Sequence, residues 1–392
     1  MSMRSVNDAE VRGKRVLVRV DFNVPLRDGE VADETRIRAA LPTIRSLLER
    51  GAAVVLATHL GRPKGKRDPQ FSVASVAERL SAILGAPVGV APGVVGAEVE
   101  RAVAGMKPGR VLLLENTRFE PGEEANDPAF AAALARLGDL YVNDAFGAAH
   151  RAHASTVGVA ALLPAYAGLL LQREEAMLSR LLHEPERPFV AILGGAKVSD
   201  KLAVIGHLLE RLDALLLGGG MANTVLLAQG HAVGASLSEP NRIEDARRLI
   251  ADADRRGVRL LLPSDVVVAS SLDSPGTETV SVDEVGDDRA IFDIGAESVA
   301  RFCDEIGGAR TVFWNGPMGV FERPPFAAGT AGIARCVAEA EAFTVVGGGD
   351  SLAAIEAAGV AERIDHISTG GGASLEFLEG RELPGIAAIP DA

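Results

Sequence analysis

The stretch Thr344-Val345-Val346-Gly347-Gly348-Gly349-Asp350 is a short apolar run that ends in glycines and an acidic residue. Similar runs occur at Ala191-Ile192-Leu193-Gly194-Gly195 and at Leu215-Leu216-Leu217-Gly218-Gly219-Gly220. Glycine lets the backbone come close to a bound group, and the N–H groups at the start of a following helix attract anions. These stretches therefore predict buried strands that lead into phosphate-binding turns.

Apolar runs of strand length alternate with amphipathic helical stretches along almost the whole chain. This alternation is typical of an α/β fold, and the near-continuous Val and Leu runs indicate parallel strands that are covered on both faces. Pro42 predicts a kink or break in the helical stretch 34–50, and residues 271–285 are expected to form an irregular surface excursion. The predicted strands are residues 15–20, 53–57, 111–114, 140–142, 189–193, 214–217, 259–262, 311–314, 344–346 and 366–368.

The length of the chain predicts two domains. It has 392 residues, of which 47% are hydrophobic, so it is longer than one core comfortably supports and can bury two. We predict two Rossmann-like three-layer α/β/α domains with parallel sheets, joined by a hinge helix that ends before Pro185 and Pro188. The predicted boundaries are 1–164 for the first domain, 165–183 for the hinge helix, 184–370 for the second domain and 371–392 for a C-terminal segment.

Charge is unevenly distributed along the chain. The net charge is −13, with about +2 on residues 1–183 and about −15 on the remainder. Because nucleic acids and membrane surfaces are polyanions, the acidic second half argues against both as partners. The sequence shows no apolar run of membrane-spanning length and no apolar secretory stretch at its start, so we expect a cytoplasmic protein.

Cysteine and histidine give little indication of a metal site. Cys303 and Cys336 are the only cysteines, which is too few for a disulfide framework or a four-sulfur metal site. We therefore expect both to be small core residues. His59, His150 and His153 have no clear further ligands in their flanks, so we do not expect zinc there.

Polar and basic residues follow the predicted strands of the first half. Asp21 and Asn23 are two residues apart after the first strand, so their side chains point the same way. The next strand leads into the basic loop His59-Leu60-Gly61-Arg62-Pro63-Lys64-Gly65. Ligands of open α/β sheets bind at this edge, and arginines there can hold phosphates. The open alternatives are that Asp21 and Asn23 only form the turn and that the arginines are only surface charges. The arginines expected on this rim are Arg36, Arg62, Arg118 and Arg151.

The glycine turn at residues 194–201 carries two lysines. Lys197 and Lys201 are four residues apart, which predicts that both ammonium groups lie on one face of a helix. The turn lacks the Walker pattern, and the stretches 218–223 and 347–352 lack the third glycine of a dinucleotide fingerprint. The lysines indicate a phosphate site, while a dehydrogenase and a non-catalytic phosphometabolite-binding protein stay open as alternatives.

Seven ordered motifs are spread over essentially the full length of the chain. They are Arg19-Val20-Asp21-Phe22-Asn23-Val24-Pro25, His59-Leu60-Gly61-Arg62-Pro63, Asn143-Asp144-Ala145-Phe146-Gly147 with His150-Arg151-Ala152-His153, Gly194-Gly195-Ala196-Lys197-Val198, Trp314-Asn315-Gly316-Pro317-Met318-Gly319-Val320-Phe321-Glu322, Gly347-Gly348-Gly349-Asp350-Ser351 and Ser368-Thr369-Gly370-Gly371-Gly372-Ala373-Ser374. Together they resemble the motifs of the phosphoglycerate kinase family. Ser351 replaces a threonine that the family often has, and it preserves the hydroxyl group.

The resemblance implies reversible phosphoryl transfer from 1,3-bisphosphoglycerate to ADP, giving 3-phosphoglycerate and MgATP, with one substrate on each domain. The phosphoglycerate residues that it implies are Arg62, Arg118 and Arg151 for the untransferred phosphate and Asp21, Asn23 and His59 for the hydroxyl and carboxyl end. The nucleotide residues that it implies are Lys201, Gly348, Gly349 and Ser351 for the phosphates, Glu322 for the ribose, Gly194, Gly195, Gly218, Gly219, Asn315 and Pro317 for the adenosine, and Asp350 for Mg²⁺.

The acceptor oxygens of this reaction are already anionic at pH 7, so catalysis needs positioning and charge neutralisation rather than a general base. We expect Arg36 and Lys197, one from each domain, to meet the transferring phosphoryl group together with the N–H groups of Gly371 and Gly372. Because the substrates lie on different domains, we also expect hinge closure, which excludes water. The resemblance further implies a monomer and a C-terminal segment that returns towards the first domain.

Overall fold

In the computed structural model, which describes residues 3–274 and 276–392, the chain forms two compact units. The first unit comprises the described residues up to Ala176 together with Glu382–Ala392, and the second comprises Met177–Arg381. The boundary between Ala176 and Met177 lies within the stretch 165–183. Residues 371–381, which we expected in the returning C-terminal segment, belong to the second unit.

The first unit is built on a six-stranded parallel sheet, with a small separate hairpin. Its strands are β1 (Arg15–Arg19), β2 (Leu26–Arg27), β3 (Glu30–Val31), β4 (Ala53–Ala57), β5 (Val88–Val90), β6 (Val111–Leu113), β7 (Leu140–Asn143) and β8 (Ala165–Ala167). The sheet order is β5-β6-β4-β1-β7-β8, and β2 pairs with β3. Arg19 lies opposite Ala57 and Asn143, so the carboxyl ends of β1, β4 and β7 meet at one edge.

Helices cover both faces of this sheet. They are α1 (Thr35–Glu49), α2 (Ala74–Leu84), α3 (Ala97–Ala104), α4 (Pro128–Ala135) and α5 (Leu169–Leu182), the last of which contains the unit boundary. Successive residues of β1 point to opposite faces, because the side chains of a strand alternate. Val16 and Val18 belong to a buried cluster with α1 and α2, whereas Leu17 belongs to one with α3 and α4.

The second unit repeats this architecture and adds an antiparallel sheet. Its strands are β9 (Phe189–Leu193), β10 (Ala214–Leu217), β11 (Arg259–Leu261), β12 (Asp265–Ala269), β13 (Glu278–Ser281), β14 (Ala290–Ile294), β15 (Thr311–Asn315), β16 (Phe343–Gly347) and β17 (His366–Ser368). The parallel sheet has the order β11-β10-β9-β15-β16-β17, and the antiparallel sheet has the order β13-β12-β14. Asn315 lies opposite Leu193 and Gly347, so three strand ends meet again at one edge.

The remaining helices belong to the second unit, except for the last one, which belongs to the first. They are α6 (Leu202–Leu208), α7 (Gly219–Gln229), α8 (Ile243–Arg256), α9 (Ala296–Gly307), α10 (Ala328–Glu339), α11 (Gly349–Ala357), α12 (Gly372–Leu378) and α13 (Pro384–Ala387). With two parallel sheets and interleaved helices, the predicted α/β fold is confirmed. The C-terminal residues contact the first unit, where Asn143 Nδ2 donates to the Gly385 carbonyl oxygen at 3.0 Å. Within the described ranges, no helix is long and apolar enough to cross a membrane.

Local structure departs from the prediction at several places: β2, β3, β5, β12 and β14 lie outside the predicted strands, and three further departures concern stretches that the sequence analysis described. Helix α1 continues through Pro42, because its buried face, which includes Ile37 and Ile44, packs along its whole length and outweighs one lost hydrogen bond. Residues 165–167 form β8 rather than the start of the hinge helix. Part of the predicted irregular stretch 271–285 is β13, which pairs with β12.

The prediction that the two cysteines are separate core thiols is wrong. Cys303 and Cys336 form a disulfide between α9 and α10, with their Cα atoms 5.5 Å apart. Both residues are half-buried on the core side of their helices. Their separation of 33 residues in sequence does not reveal that the two helices pack side by side, so the pairing could not be predicted from spacing alone.

Candidate active site

Asp21 organises the polar edge of the first sheet. It is buried just after β1, and its Oδ2 lies 3.1 Å from Nη1 of Arg36. The same nitrogen donates to the Asn23 carbonyl oxygen at 3.0 Å, and the Asn23 N–H donates to Asp21 Oδ1 at 3.3 Å. Asn23 Oδ1 accepts from the Gly61 N–H at 2.9 Å. Two loops are thereby joined, and the Arg36 side chain is held with 29% of its surface exposed.

His59 lies beside Asp21 and is held neutral. Burial, followed by the positive charges of Arg19, Arg118 and Arg36, lowers the pKa of His59 well below its usual range. Arg19 Nη2 lies 3.0 Å from His59 Nδ1, whereas Asp21 Oδ1 lies 4.0 Å from that atom. Because a guanidinium can only donate, Nδ1 accepts and the ring proton is on Nε2. His59 therefore presents a neutral N–H donor at Nε2.

Arg19 contacts the candidate site from behind, and the sequence reasoning gave it no role. It is almost fully buried at the end of β1, where Nε donates to Ser155 Oγ at 2.8 Å and Nη1 donates to the Val20 carbonyl oxygen. The Ser155 N–H donates to the buried Glu123 carboxylate at 3.0 Å, which extends the network behind the site. A charged residue inside an apolar strand needs buried partners, and that was the available signal in the sequence.

The predicted arginines reach this edge to different extents. Arg118 Nη1 donates to the Gly61 carbonyl oxygen at 2.8 Å, and its Nε lies 3.1 Å from Glu124 Oε1. Burial lowers the pKa of Arg118, and the charge of the exposed Arg151 adds to this effect. Arg62 follows Gly61, is exposed, and has neither a hydrogen bond nor an ion pair among the residues described.

Backbone turns interlock at the carboxyl edge of the second sheet. The Gly194 N–H donates to the Asn315 carbonyl oxygen and the Gly195 N–H to the Pro317 carbonyl oxygen, each at 3.0 Å. A Cβ atom on Gly194 would lie only 2.0 Å from the Pro317 oxygen. Glycine is therefore required for the close approach of these two turns.

Gly218 and Gly219 bring a third turn into the same contact. The Gly219 N–H donates to the Met318 carbonyl oxygen at 2.9 Å, and a Cβ atom on this residue would lie 2.6 Å from the Gly195 oxygen. A Cβ atom on Gly218 would lie 2.5 Å from the Met318 sulfur. The predicted adenosine residues thus form one packed backbone surface.

The two predicted lysines have different surroundings. Lys201 Nζ donates to the Asn315 carbonyl oxygen at 2.7 Å and to Asn315 Oδ1, and burial lowers the pKa of Lys201 to about 8. Lys197 is exposed and has no hydrogen-bond or ion-pair partner in the described part of the chain. Helix α6 begins only at Leu202, so the prediction that both lysines lie on one helical face is wrong. Lys201 supports the turns, whereas Lys197 is available to a ligand.

Helix α11 begins directly at the glycine-rich end of β16. Gly348 has a φ of +93° and precedes the helix, whose first N–H groups have no helical acceptor. Ser351 Oγ is buried and accepts from the Gly316 N–H at 2.6 Å. The Ser351 hydroxyl therefore fixes the neighbouring turn, while Gly349 and Asp350 are exposed at the helix start.

The remaining predicted residues lie on loops of the second unit. Gly371 has a φ of +55° before α12, and among the described residues neither its N–H nor that of Gly372 has a backbone or side-chain acceptor. The Oγ atoms of Ser368 and Ser374, 2.6 Å apart, brace this loop. Glu322 is exposed and has no ion-pair partner in the parts of the chain that are described.

Asp350 is the one predicted ligand for Mg²⁺. Across residues 3–274 and 276–392, no group of three or more His, Cys, Asp or Glu side chains could hold a metal ion. The Asp350 carboxylate lies close enough to Lys201 that its negative charge partly offsets the lowering of the Lys201 pKa by burial. Mg²⁺ usually binds proteins through one or two carboxylates together with substrate phosphates and waters. One exposed carboxylate beside a free helix start fits a magnesium ion carried by a nucleotide.

Comparison with known proteins gives consistent matches over the chain. A family model described as phosphoglycerate kinase matches residues 6–381. The chain is 58% identical over 393 residues to the phosphoglycerate kinase of Herpetosiphon aurantiacus and 56% identical over 399 residues to that of Chloroflexus aurantiacus. Both alignments cover 100% of each chain.

Solved structures show the same similarity. The structure of phosphoglycerate kinase from Coxiella burnetii matches with a TM-score of 0.88 and 41% identity. The enzyme from Pyrococcus horikoshii matches with a TM-score of 0.89 and 34% identity. Each match covers 98% of both chains.

Proposed function

The chain belongs to the phosphoglycerate kinase family, and on this premise we propose how its residues divide the reaction of that family. The enzyme reversibly transfers a phosphoryl group from 1,3-bisphosphoglycerate to ADP, giving 3-phosphoglycerate and ATP. The first unit binds the phosphoglycerate and the second binds the nucleotide. The observation that carries this division is that one sheet edge gathers charged side chains, whereas the other gathers glycine turns around an unpaired lysine.

The first unit is suited to a small phosphorylated hydroxy acid. Its neutral His59 donates from Nε2 and Asp21 can accept, which together match the donor and acceptor of a hydroxyl group, with Asn23 beside them. Planar guanidinium groups match phosphate oxygens and stay charged at pH 7. We assign the untransferred phosphate to Arg62, Arg118 and Arg151.

The second unit is suited to a nucleoside phosphate. The packed surface of Gly194, Gly195, Gly218, Gly219, Asn315 and Pro317 takes the adenosine, and the exposed Glu322 takes the ribose. The helix start at Gly348, Gly349 and Ser351 takes the phosphates, and Lys201, with a pKa of about 8, is largely protonated beside them at pH 7. When bound with the nucleotide at Asp350, Mg²⁺ neutralises phosphate charge.

Catalysis in this scheme is positioning and charge neutralisation. Arg36 and Lys197 contact the equatorial oxygens of the transferring phosphoryl group, and the N–H groups of Gly371 and Gly372 add hydrogen bonds to it. No side chain has to remove a proton, because both acceptor oxygens are ionised at pH 7. The support for these roles is that Arg36 is pre-positioned by Asp21 while Lys197 is unpaired.

Transfer requires the two substrates to meet, so the proposed scheme includes closure of the units about α5. Closure protects the acyl phosphate from water. Small-angle X-ray scattering with both substrates should give a smaller radius of gyration than the free enzyme, and an unchanged radius would contradict closure. The enzyme is proposed to be a cytoplasmic monomer, and light scattering after size-exclusion chromatography should give the mass of one chain.

The activity itself is tested by MgATP-dependent phosphorylation of 3-phosphoglycerate, coupled to NADH oxidation through a reductive dehydrogenase step. We expect turnover that requires both 3-phosphoglycerate and Mg²⁺. Binding of both substrates without any turnover would instead support a non-catalytic binding protein. Turnover in the presence of a chelator and without added Mg²⁺ would contradict the proposal that Asp350 binds Mg²⁺.

A further inference from the structure

We propose that Glu239 is a positioning residue that holds the lysine turn, residues 194–201, so that Lys197 is aimed at the transferring phosphoryl group. This inference rests on the proposed role of Lys197. Glu239 lies between α7 and α8, outside every motif of the sequence analysis. Its carboxylate contacts the lysine turn just after Lys197, at Ser199.

Both carboxylate oxygens of Glu239 are used in the contact. The Ser199 N–H donates to Oε2 at 2.9 Å, and the Ser199 hydroxyl donates to Oε1 at 2.6 Å. Partial burial opposes ionisation, but hydrogen bonds from Ser199 and from the Val198 backbone outweigh it and lower the pKa of Glu239. The carboxylate is thus ionised at neutral pH and accepts from both the backbone and the side chain of Ser199.

Glu239 is itself fixed to the second unit. Its N–H donates to Thr224 Oγ1 at 3.0 Å, and that hydroxyl donates to the Gly220 carbonyl oxygen at 3.0 Å. Thr224 is fully buried in α7. The backbone of Glu239, which lies in the connection between the two helices, is therefore anchored to α7.

The middle of the lysine turn depends on this contact. Its start is held by Gly195, whose carbonyl oxygen accepts from the Met221 N–H at 3.2 Å, and its end is held by Lys201 on Asn315. Between these two points, in the described part of the chain, the hydrogen bonds that reach the turn from outside all go to Glu239. Ser199 is two residues from Lys197, so the contact sets the direction in which Lys197 leaves the backbone.

Direction matters because the lysine side chain is long and flexible. Misplacing a catalytic group by about 1 Å can lower the rate by about 10². Losing the Glu239 contact should leave Lys197 charged and present but less often in the reactive position. The expected defect is therefore in kcat, while the affinity for 3-phosphoglycerate is unchanged.

The test is a double-mutant cycle between Glu239 and Lys197, measured as kcat for MgATP-dependent phosphorylation of 3-phosphoglycerate. We expect Glu239→Ala to lower kcat roughly tenfold to a hundredfold in the wild-type enzyme and less than about threefold in Lys197→Ala, because residues that act as a unit are not additive. Glu239→Gln keeps one acceptor and should give an intermediate loss. Ser199→Ala should give a loss smaller than that of Glu239→Ala.

Glu244→Gln is the matched control. Glu244 lies in the first turn of α8, where its Oε1 accepts from Arg247 Nη1 at 2.6 Å, its one side-chain hydrogen bond within the described residues. This variant therefore removes a nearby charge without touching the lysine turn. Its kcat should equal that of the wild type. Thermal unfolding of each variant separates a general loss of structure from a local one.

The outcomes distinguish this inference from the proposed function. Equal kcat losses from Glu239→Ala in both backgrounds, or wild-type kcat in Glu239→Ala and Glu239→Gln, would overturn the positioning role. A melting temperature that falls in step with activity in both Glu239 variants would overturn it too. Wild-type kcat in Lys197→Ala would instead contradict the proposed function, in which Lys197 contacts the transferring phosphoryl group.

Discussion

The carboxyl edge of the first sheet is built from charged side chains, whereas that of the second is built from backbone. In the first unit Asp21 pairs with Arg36 and lies 4.0 Å from His59, which contacts the buried Arg19. In the second unit Gly194 and its neighbouring turns pack so closely that a Cβ atom has no room. One edge is organised by electrostatics and the other by shape.

The proposed division of the two ligands between the edges accounts for this difference. A phosphoglycerate is small and highly charged, so it can be recognised by matching charges and hydrogen bonds one by one. A nucleotide also presents a large, nearly flat base, and a smooth backbone surface covers such a base without specific charges. The first edge should therefore respond to changes in charge and pH, and the second to changes in volume.

The largest effect is expected for the two cations, one from each unit, that we propose to contact the transferring phosphoryl group. Lys197→Ala and Arg36→Ala should each lower kcat by about 10²–10³, because each removes a cation aimed at developing charge. The Michaelis constants should change little by comparison. Steady-state kinetics on both variants provides the measurement, and a defect in only one of them would show that the task is not shared.

Reduction of the disulfide should affect the second unit alone. A bond that closes a loop of 33 residues stabilises a fold by about 3–4 kcal/mol in the chain-entropy account. The loop includes Asn315 and Glu322, so part of the edge that we assign to the nucleotide lies inside it. Hydrogen exchange with and without a reductant should show lost protection in residues 177–381, and equal losses in the first unit would contradict this comparison.

Gly194→Ala should weaken the nucleotide edge through volume alone. Its new Cβ atom would lie 2.0 Å from a backbone oxygen, and such overpacking typically costs about 1–3 kcal/mol. MgADP affinity should fall about tenfold or more while 3-phosphoglycerate affinity is retained, as measured by calorimetry. The control is Gly206→Ala in α6, where no described atom beyond the neighbouring backbone of the same helix lies within 4 Å of the new methyl group. Unchanged MgADP binding in Gly194→Ala would show that shape does not govern this edge.

Acid should weaken the first unit relative to the second. The pKa of His59 is lowered well below its usual range and that of His153 to about 4, chiefly by burial, so the unfolded chain binds more protons below about pH 6.5 and stability is lost as the pH falls. Burial raises the pKa of Asp144 and of Asp293 to about 7. The folded chain therefore binds more protons at these two groups than the unfolded chain, so their contribution to stability grows as the pH falls from 7 towards 4. The first unit has both histidines and one of these aspartates, whereas the second has only Asp293.

Between pH 7 and pH 5, His153, Asp144 and Asp293 each change the free energy of unfolding by on the order of 2 kcal/mol, and His59 acts in the same direction as His153. Hydrogen exchange at the two pH values should therefore show a relative loss of protection in the first unit. His153→Gln should reduce that loss. Parallel changes in both units would mean that the buried histidines do not control the acid response.

Much of the fold could be predicted because each main strand is a continuous apolar run. The runs at 53–57 and 189–193 were placed correctly, and the glycines after them marked the ligand edge. The weak strand β5 was missed, since Val88–Val90 contains a glycine and is partly exposed. Strand β13, which pairs with β12, was missed because Glu278–Ser281 is half-open to solvent and contains no apolar run.

The parts of the site that could not be predicted depend on contacts between distant residues. Arg19 belongs to a motif, but its role as a donor to His59 depends on a partner 40 positions away. Lys197 and Lys201 look alike in sequence, and only the position of Asn315 separates a free lysine from a buried one. The disulfide depends in the same way on how α9 packs against α10.

The division of labour between the two edges is tested most directly by calorimetric titration of Arg62→Ala with 3-phosphoglycerate and, separately, with MgADP. Arg62 is exposed and unpaired among the described residues, so its removal should leave the fold intact. We predict that 3-phosphoglycerate binding weakens by about 10–100-fold, the value of a charge-assisted hydrogen bond, while MgADP binding changes by less than about twofold. Equal weakening of both ligands, or unchanged 3-phosphoglycerate binding, would contradict it.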